Sequence, residues 1–178
     1  TSLGSGNFSS NTTGADNTAV GKGALTANTT ANDNTAVGKD ALLVNTTGAL
    51  NTAVGHSALA ANTTASSNQA FGRRALYANT TGTENNAFGY LALLANTTGS
   101  YNVGMGVNAL AANTTGNNST AVGVGALAAQ TTAGDNTAIG HSALASTNNT
   151  RNMGIGYRAL TAQSGSSDNI AIGHDALV

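Results

Sequence analysis

The 178-residue chain contains no cysteine, proline or tryptophan, and charged residues make up only 7% of it. Without cysteine, disulfides cannot stabilise the fold, and the redox compartment cannot be inferred. The formal net charge is −1, so we expect no binding surface for nucleic acid. No apolar run reaches the roughly 18 residues of a membrane-spanning helix, so we expect no membrane insertion by this segment.

A tandem repeat organises the whole chain. Its unit is the stretch Asn34–Leu42, Asn-Thr-Ala-Val-Gly-Lys-Asp-Ala-Leu, and its glycine recurs every 17 residues except for one step of 16, from Gly140 to Gly156. A fixed period of this size is typical of a solenoid. We therefore predict an all-β solenoid of about eleven 17-residue coils over residues 1–178. Both ends lie inside a repeat, which suggests a segment of a longer fibrous protein.

Each coil reads as two short strands and a turn. Asn-Thr-Ala-Val forms the first strand, and its glycine marks a corner that needs a positive φ or a close backbone approach. Ala41–Leu42 forms the second strand, and Asn45-Thr46-Thr47 forms the turn. Coils stacked at about 4.8 Å would build a rod on the order of 50 Å long. The missing residue lies between Thr147 and Asn152, in the turn, where a change of length costs least.

Stacked coils place equivalent residues in columns, and two of these columns are asparagine ladders. One ladder is interrupted by Ser119, and the other continues through Gln130. Amides stacked in this way hydrogen-bond along the rod axis and add to sheet stability. The first ladder contains Asn17, Asn34, Asn51, Asn68, Asn85, Asn102, Asn136, Asn152 and Asn169, and the second contains Asn11, Asn28, Asn45, Asn62, Asn79, Asn96 and Asn113.

Two adjacent apolar columns predict self-association. Consecutive residues of a strand point to opposite faces, so an alanine column can line the interior while its neighbour stays exposed. A soluble monomer does not tolerate an apolar strip along its whole length, so we predict a homo-oligomer. Alanine–leucine pairs, as at Ala24–Leu25, repeat the pattern. The predicted core and oligomer columns comprise Val20, Val37, Val54, Phe71, Phe88, Met105, Val122, Ile139, Ile155, Ile172, Leu25, Leu42 and Leu59.

The tandem pattern Asn-x-Ala-[Val/Ile]-Gly-x-x-Ala resembles the head repeats of YadA-like trimeric autotransporter adhesins, and it is similar to tail-fibre repeats of bacteriophages. The closest matches are Ala138-Ile139-Gly140 and Ala171-Ile172-Gly173. The resemblance implies a β-roll, a parallel homotrimer wound about a common axis, and an extracellular place on a cell surface or virion fibre. The adhesin coils are shorter, and the extra residues here fall in the Asn-Thr-Thr turn.

The sequence offers weak candidates for a metal site or a catalytic site. His56, His141 and His174 each follow the repeated glycine, but they lie two or more coils apart, too far for a zinc site. Ser57 and Ser142 adjoin two of these histidines without an acid to orient them, and strand geometry would separate each pair. We predict no metal, no cofactor and no enzymatic activity.

Other polar groups have a surface interpretation beside a functional one. The carboxylates could form an acidic edge or bind a cation, but solvated turn residues explain them better; they are Asp16, Asp33, Glu84, Asp135 and Asp168. The Asn-Thr-Thr sequences fit an N-glycosylation acceptor, although a turn ladder also explains them. A mid-chain group could form a receptor-binding or glycan-binding patch, or simply ordinary surface; it contains Arg73, Arg74, Tyr77, Tyr90 and Tyr101.

The preferred function is a structural and adhesive fibre, a trimeric stalk or head that supports attachment to a surface or a host cell. The alternative is an ice-binding solenoid, because threonine is abundant and regularly spaced. Against that alternative, the column of Thr18 is broken at five positions, namely Gln69, Asn86, Val103, Met153 and Ile170.

Overall fold

The computed structural model describes residues 1–161 and 165–178, which wind into a parallel β-solenoid of about ten turns. Each turn contributes one short strand to a single sheet in which the strands follow chain order. The predicted all-β solenoid is therefore confirmed. The strands are β1 (Ser2–Leu3), β2 (Thr18–Val20), β3 (Thr35–Val37), β4 (Thr52–Val54), β5 (Gln69–Phe71), β6 (Asn86–Phe88), β7 (Val103–Met105), β8 (Thr120–Val122), β9 (Thr137–Ile139), β10 (Met153–Ile155) and β11 (Ile170–Ile172).

The sheet register follows the sequence repeat. Ala19 lies opposite Ala36, and Val20 lies opposite Val37, so each residue pairs with its equivalent one coil away. The 16-residue step leaves the register unchanged, because Thr137 pairs with Met153 in the same way. The deletion is therefore absorbed outside the sheet.

The glycine that follows each strand meets both requirements that the sequence suggested, a positive φ and a close backbone approach. Gly38 has a φ of 137°, a conformation that side chains rarely adopt. A Cβ atom at this position would lie 2.5 Å from the carbonyl oxygen of Gly55 in the next coil. Adjacent coils therefore stack closely at this corner only because neither coil has a side chain there.

The prediction of a second strand in each coil is wrong. Leu42 has a φ of 50°, in the left-handed region, and the equivalent leucines of the other coils share this conformation. The bend lets Ala41 and Leu42 both point into the core, where both are fully buried. A left-handed leucine costs about 1–2 kcal/mol, and burying its side chain returns about 1.5–3 kcal/mol. The backbone still bonds between coils, as the Leu42 N–H donates to the Ala58 carbonyl over 3.1 Å.

The core of the rod consists of alanine and leucine columns contributed by one chain. Leu25, Leu42 and Leu59 are completely buried there. The expectation that the alanine–leucine pairs would present a second apolar surface is therefore wrong, because these leucines are core residues of the single chain. Across the described residues, no helix is long and apolar enough to cross a membrane.

Candidate interaction surfaces

The asparagine of each Asn-Thr-Thr turn points into the rod. Asn62 Nδ2 donates to Asn45 Oδ1 of the preceding coil over 2.8 Å and to the Ala65 carbonyl over 3.0 Å. The side chains from Asn28 to Asn113 in this ladder have no solvent exposure. In the folded chain these amides are therefore inaccessible as acceptors for N-glycosylation, and their position explains the recurrence of Asn-Thr-Thr.

The first ladder, which contains Asn34 and Asn51, connects each strand to the coils beside it. Asn34 Oδ1 accepts the backbone N–H of Asn51 over 3.0 Å, and Asn34 Nδ2 donates to the Gly48 carbonyl over 2.9 Å. Both asparagines are fully buried. Since an unpaired amide in the core would be costly, these bonds explain why asparagine rather than another polar residue stands before most strands.

The two interruptions of the ladders compensate for each other. Gln130 is longer than the asparagine it replaces, and its Nε2 reaches Ser119 Oγ over 3.1 Å and Asn113 Oδ1 over 3.2 Å. Gln130 Oε1 accepts from Asn136 Nδ2 over 2.8 Å. The extra methylene of glutamine thus fills the space that the shorter serine leaves, and the buried amides keep their partners. The sequence shows both substitutions but not their contact.

A side chain also compensates for the missing residue. In regular coils a threonine carbonyl accepts the N–H groups of the coil before it, as the Thr29 carbonyl does for Thr12 over 2.9 Å. Near the deletion, Asn148 Oδ1 takes this role and accepts from the N–H groups of Thr131 and Thr132 over 2.9 and 3.2 Å. The shortened turn therefore keeps its connection to the preceding coil.

An uncharged stripe covers the outer face of the sheet. It consists of the first and third residues of the strands, as in Thr35 and Val37, whose side chains are half-buried. The stripe widens in the middle, where the Phe71 and Phe88 rings stack with centroids 4.8 Å apart and are 36% and 37% exposed. Between Thr18 and Ile172, no strand residue on this face is charged. The stripe places the predicted column of Val20 on the outside of the rod.

Two exposed columns border the stripe. One border consists of the residues that stand two positions before the first residue of each strand, as Asp33 does before β3. These residues have a positive φ, and we call their column the acidic edge. The residue after the repeated glycine, as in Lys39, forms the other border, which we call the ridge. The acidic edge contains Asp16, Asp33, Leu50, Ser67, Glu84, Tyr101, Asn118, Asp135, Arg151 and Asp168, and the ridge contains Lys22, Lys39, His56, Arg73, Tyr90, Val107, Val124, His141, Tyr157 and His174.

Two of the three histidines of the ridge make aromatic contacts. Tyr157 stacks between His141 and His174, with centroids 5.4 and 4.9 Å away. Within the described ranges no three potential ligands come together to hold a metal. Ser142 Oγ lies 3.0 Å from His141 Nδ1, and His56 meets Ser57 in the same way, so the expectation that each serine and histidine point apart is wrong. The left-handed backbone of the serines brings the two groups together.

The arginine and tyrosine candidates divide into separate pairs. Arg73 Nη1 donates to Tyr90 Oη over 3.3 Å on the ridge. The Arg74 guanidinium lies over the Tyr77 ring at 4.4 Å. Tyr101 stands on the acidic edge, across the stripe from the first pair. The structure therefore joins four of the candidates in two pairs and places Tyr101 apart from both, so the five do not form one patch.

The two threonines of each Asn-Thr-Thr turn have different environments. The first bonds to the next coil, as Thr46 Oγ1 donates to the Thr63 carbonyl over 3.0 Å. The second is exposed, as in Thr47, and forms an unbroken file through eight coils. The file contains Thr13, Thr30, Thr47, Thr64, Thr81, Thr98, Thr115 and Thr132.

Comparison with protein-family models, curated proteins and solved structures gives no match for this chain. The resemblance to adhesin and tail-fibre repeats therefore stays a prediction from the repeated motif, and the surfaces described above carry the functional argument.

Proposed function

We propose that this chain is a structural and adhesive segment of an extracellular fibre, in which copies associate through the stripe into a parallel homotrimer. The observation that carries the proposal is the length of the stripe, which is uncharged and partly exposed from β2 to β11. Within the stripe, the column of third strand residues from Val20 to Ile172 is apolar in every coil, and a contiguous apolar surface of this length is typical of an interaction site on a soluble protein. A fibre on a cell surface or virion would use the rod to hold a binding part away from its anchor.

The size of the stripe suits a protein interface. A surface about 50 Å long and about 10–15 Å wide offers on the order of 500–700 Å² per chain. A standard interface buries about 800 Å² on each partner, and a specific one at least about 1,000 Å² in total. Two such stripes facing each other reach that range, whereas a small ligand would cover only a fraction of either.

The period of the stripe favours a second copy of the chain as its partner. Its side chains recur once per coil, and the stacked phenylalanine rings place successive coils 4.8 Å apart. Another copy has the same spacing and can match the stripe along its whole length. The resemblance to trimeric adhesins supports three chains. A cell-surface receptor or glycan would then bind on the outer surfaces, where the Arg73–Tyr90 pair is a candidate contact.

The mass of the particle in solution tests this proposal. We expect light scattering to give three times the 17.3 kDa mass of the chain. Replacing Val54 and Phe71 together by glutamate should produce single chains, because two charges per chain would be buried at the interface. The matched control carries glutamate at Thr47 and Thr64, which lie outside the stripe, and should keep the mass of the unmodified protein. A stable single-chain particle from the unmodified protein would contradict the proposal.

The alternative function, ice binding, is favoured by one observation. The file of exposed threonines that includes Thr47 and Thr64 continues unbroken through eight coils at a regular spacing. It is a single file, because the threonine beside each of its first seven members donates its hydroxyl to the backbone of the next coil. Thermal hysteresis of the purified chain tests this function. Hysteresis that disappears when Thr64 and Thr81 become tyrosine would favour ice binding over the fibre.

A further inference from the structure

In two successive coils, the two borders of the stripe carry charges of opposite sign. The acidic edge and the ridge flank each strand, one before it and one after it, so each coil contributes one residue to each border. In the coil of β2 these residues are Asp16 and Lys22, and in the coil of β3 they are Asp33 and Lys39. In no coil between β2 and β11 do both borders carry the same charge.

The charged group of the ridge arginine also lies opposite a negative residue, because its side chain leans toward the next coil. Arg73 belongs to the coil of β5, but its guanidinium donates to Tyr90 in the coil of β6. The acidic-edge residue in the coil of β6 is Glu84. The positive charge therefore lies beside the coil whose other border is negative.

Within one chain these charges do not neutralise each other across the stripe. Among the described residues, neither Asp16 nor Asp33 forms an ion pair with Lys22 or Lys39. The nearest partner of Lys39 is its neighbour Asp40, at 3.7 Å. The two borders are therefore available to another molecule that brings the opposite charge to each of them.

We propose that neighbouring chains pack parallel and in register, with the acidic edge of one chain against the ridge of the next. This inference rests on the proposed parallel self-association and adds which borders meet and which charged residues pair across the contact. In a cyclic assembly every contact is heterologous, so the left border of one chain meets the right border of its neighbour. Asp16 then faces Lys22 of the next copy, and Asp33 faces Lys39.

Other alignments lose this complementarity. A shift by one coil in either direction separates Asp135 from His141 and keeps only one aspartate–lysine pair. The shift that sets Asp33 against Lys22 also sets Glu84 against the coil of Arg73, but the Arg73 guanidinium reaches toward Tyr90 in the next coil. Either shift places Arg151 beside a histidine, His141 or His174. Antiparallel packing would place the acidic edge against a second acidic edge, which like charges disfavour. The stripe is uncharged in every coil, so the charged borders add a preference for one alignment to whatever the burial of the stripe contributes.

Charge reversal tests which borders meet. One variant carries Asp16→Lys and Asp33→Lys, a second carries Lys22→Asp and Lys39→Asp, and a third carries all four changes. Each one-sided reversal creates like-charge contacts between chains, so we expect about tenfold weaker association at low salt, with partial recovery at high salt. The four-fold variant exchanges the two signs and should associate within about twofold of the unmodified chain, measured by analytical ultracentrifugation.

A control separates border contacts from net charge. Lysine at Thr13, Thr30, Thr47 and Thr64 changes the net charge as much as the acidic-edge reversal does, but on the Asn-Thr-Thr turn. This variant should associate almost as well as the unmodified chain. If the four-fold variant is as weak as the one-sided variants, the borders do not meet and the inference is overturned. If the unmodified chain does not self-associate, the proposed function itself is wrong.

The absence of cysteine allows a direct test of alignment. Chains with Val37→Cys and chains with Val54→Cys are mixed before assembly and oxidised, with one of them carrying a size tag. In-register packing brings equivalent residues together, so disulfides should join Val37→Cys chains to each other and Val54→Cys chains to each other. Mixed disulfides in comparable yield would show a one-coil shift and would overturn the inference.

Discussion

The inner and outer sides of the same coils follow different rules. Inside, the columns repeat alanine, leucine and asparagine with few exceptions, and their members are almost fully buried. Outside, the stripe varies from valine to phenylalanine, and its borders vary from aspartate to arginine. An inner side chain must fit its equivalents one coil away on both sides, whereas an outer side chain meets solvent or another molecule. Stability should therefore depend on the inner side and association on the outer side.

Removing a leucine side chain should show the largest difference between the two sides. Leu76 is fully buried and Leu50 is 55% exposed, yet both have a left-handed backbone, with φ values of 50° and 61°. Leu76→Ala should lower the free energy of unfolding by about 3 kcal/mol because it leaves a cavity. Leu50→Ala should lower it by less than about 0.5 kcal/mol. Urea unfolding followed by circular dichroism measures both, and equal effects would contradict the distinction.

The compensating pair inside the rod should show strong coupling. Gln130→Asn removes one hydrogen-bond partner from Asn136 Nδ2 and one from Ser119 Oγ, and Ser119→Asn crowds the glutamine. Each single change should cost about 1–2 kcal/mol of unfolding free energy. The double variant restores the asparagines of the other coils and should come close to the unmodified chain, which gives a coupling of about 2–4 kcal/mol. Additive losses in the double-mutant cycle would show that the two sites are independent.

The side chain that compensates for the missing residue lies on an exposed turn, so removing it should cost less unfolding free energy. Asn148→Ala removes the acceptor of the Thr131 and Thr132 N–H groups, but water can reach them, so we expect a loss of about 1 kcal/mol in the free energy of unfolding. Asn148→Asp keeps an oxygen acceptor and should lie within about 0.5 kcal/mol of the unmodified chain. Thermal unfolding of the two variants measures the difference. If Asn148→Ala lost as much unfolding free energy as Leu76→Ala, the expectation that exposed sites contribute less to stability than buried sites would be wrong.

The smallest effect should come from an ion pair on the acidic edge. Arg151 bonds to both carboxylate oxygens of Asp168, over 2.6 and 2.9 Å, and this hydrogen bonding lowers the pKa of the aspartate below its usual value. Because the folded-state pKa is lowered, the stabilisation is present above the ordinary aspartate pKa of about 3.9 and disappears as the pH falls through the lowered value. Arg151→Gln should raise the pKa of Asp168, measured by NMR titration. An unchanged titration would show that the pair does not form in solution.

The repeat alone was enough to predict the sheet. A period of 17 fixes which residues become neighbours, so the pairing of Ala19 with Ala36 and of Val20 with Val37 follows directly from it. That the two apolar columns of the strand would lie on opposite faces could also be anticipated, because consecutive strand residues alternate. The conformation of Leu42 could not be anticipated from the sequence, because leucine rarely has a positive φ and only burial in the stacked coils compensates for the strain.

The irregular positions were visible in the sequence, but their partners were not. Ser119 and Gln130 lie in different ladders and 11 residues apart, and only the winding of the chain brings them together. The same holds for Asn148, whose amide replaces a backbone carbonyl that the deletion removes. These contacts depend on distances across the rod, which a repeat length does not specify.

The sequence by itself determined the solenoid, its period and the residues of every column, because a regular repeat makes each residue the neighbour of its own equivalent. The tertiary structure decided which columns face inward, since that depends on the backbone bend at the leucines and the glycines. It also placed the acidic edge and the ridge on opposite sides of one uncharged stripe, because each strand crosses the stripe from the acidic edge to the ridge.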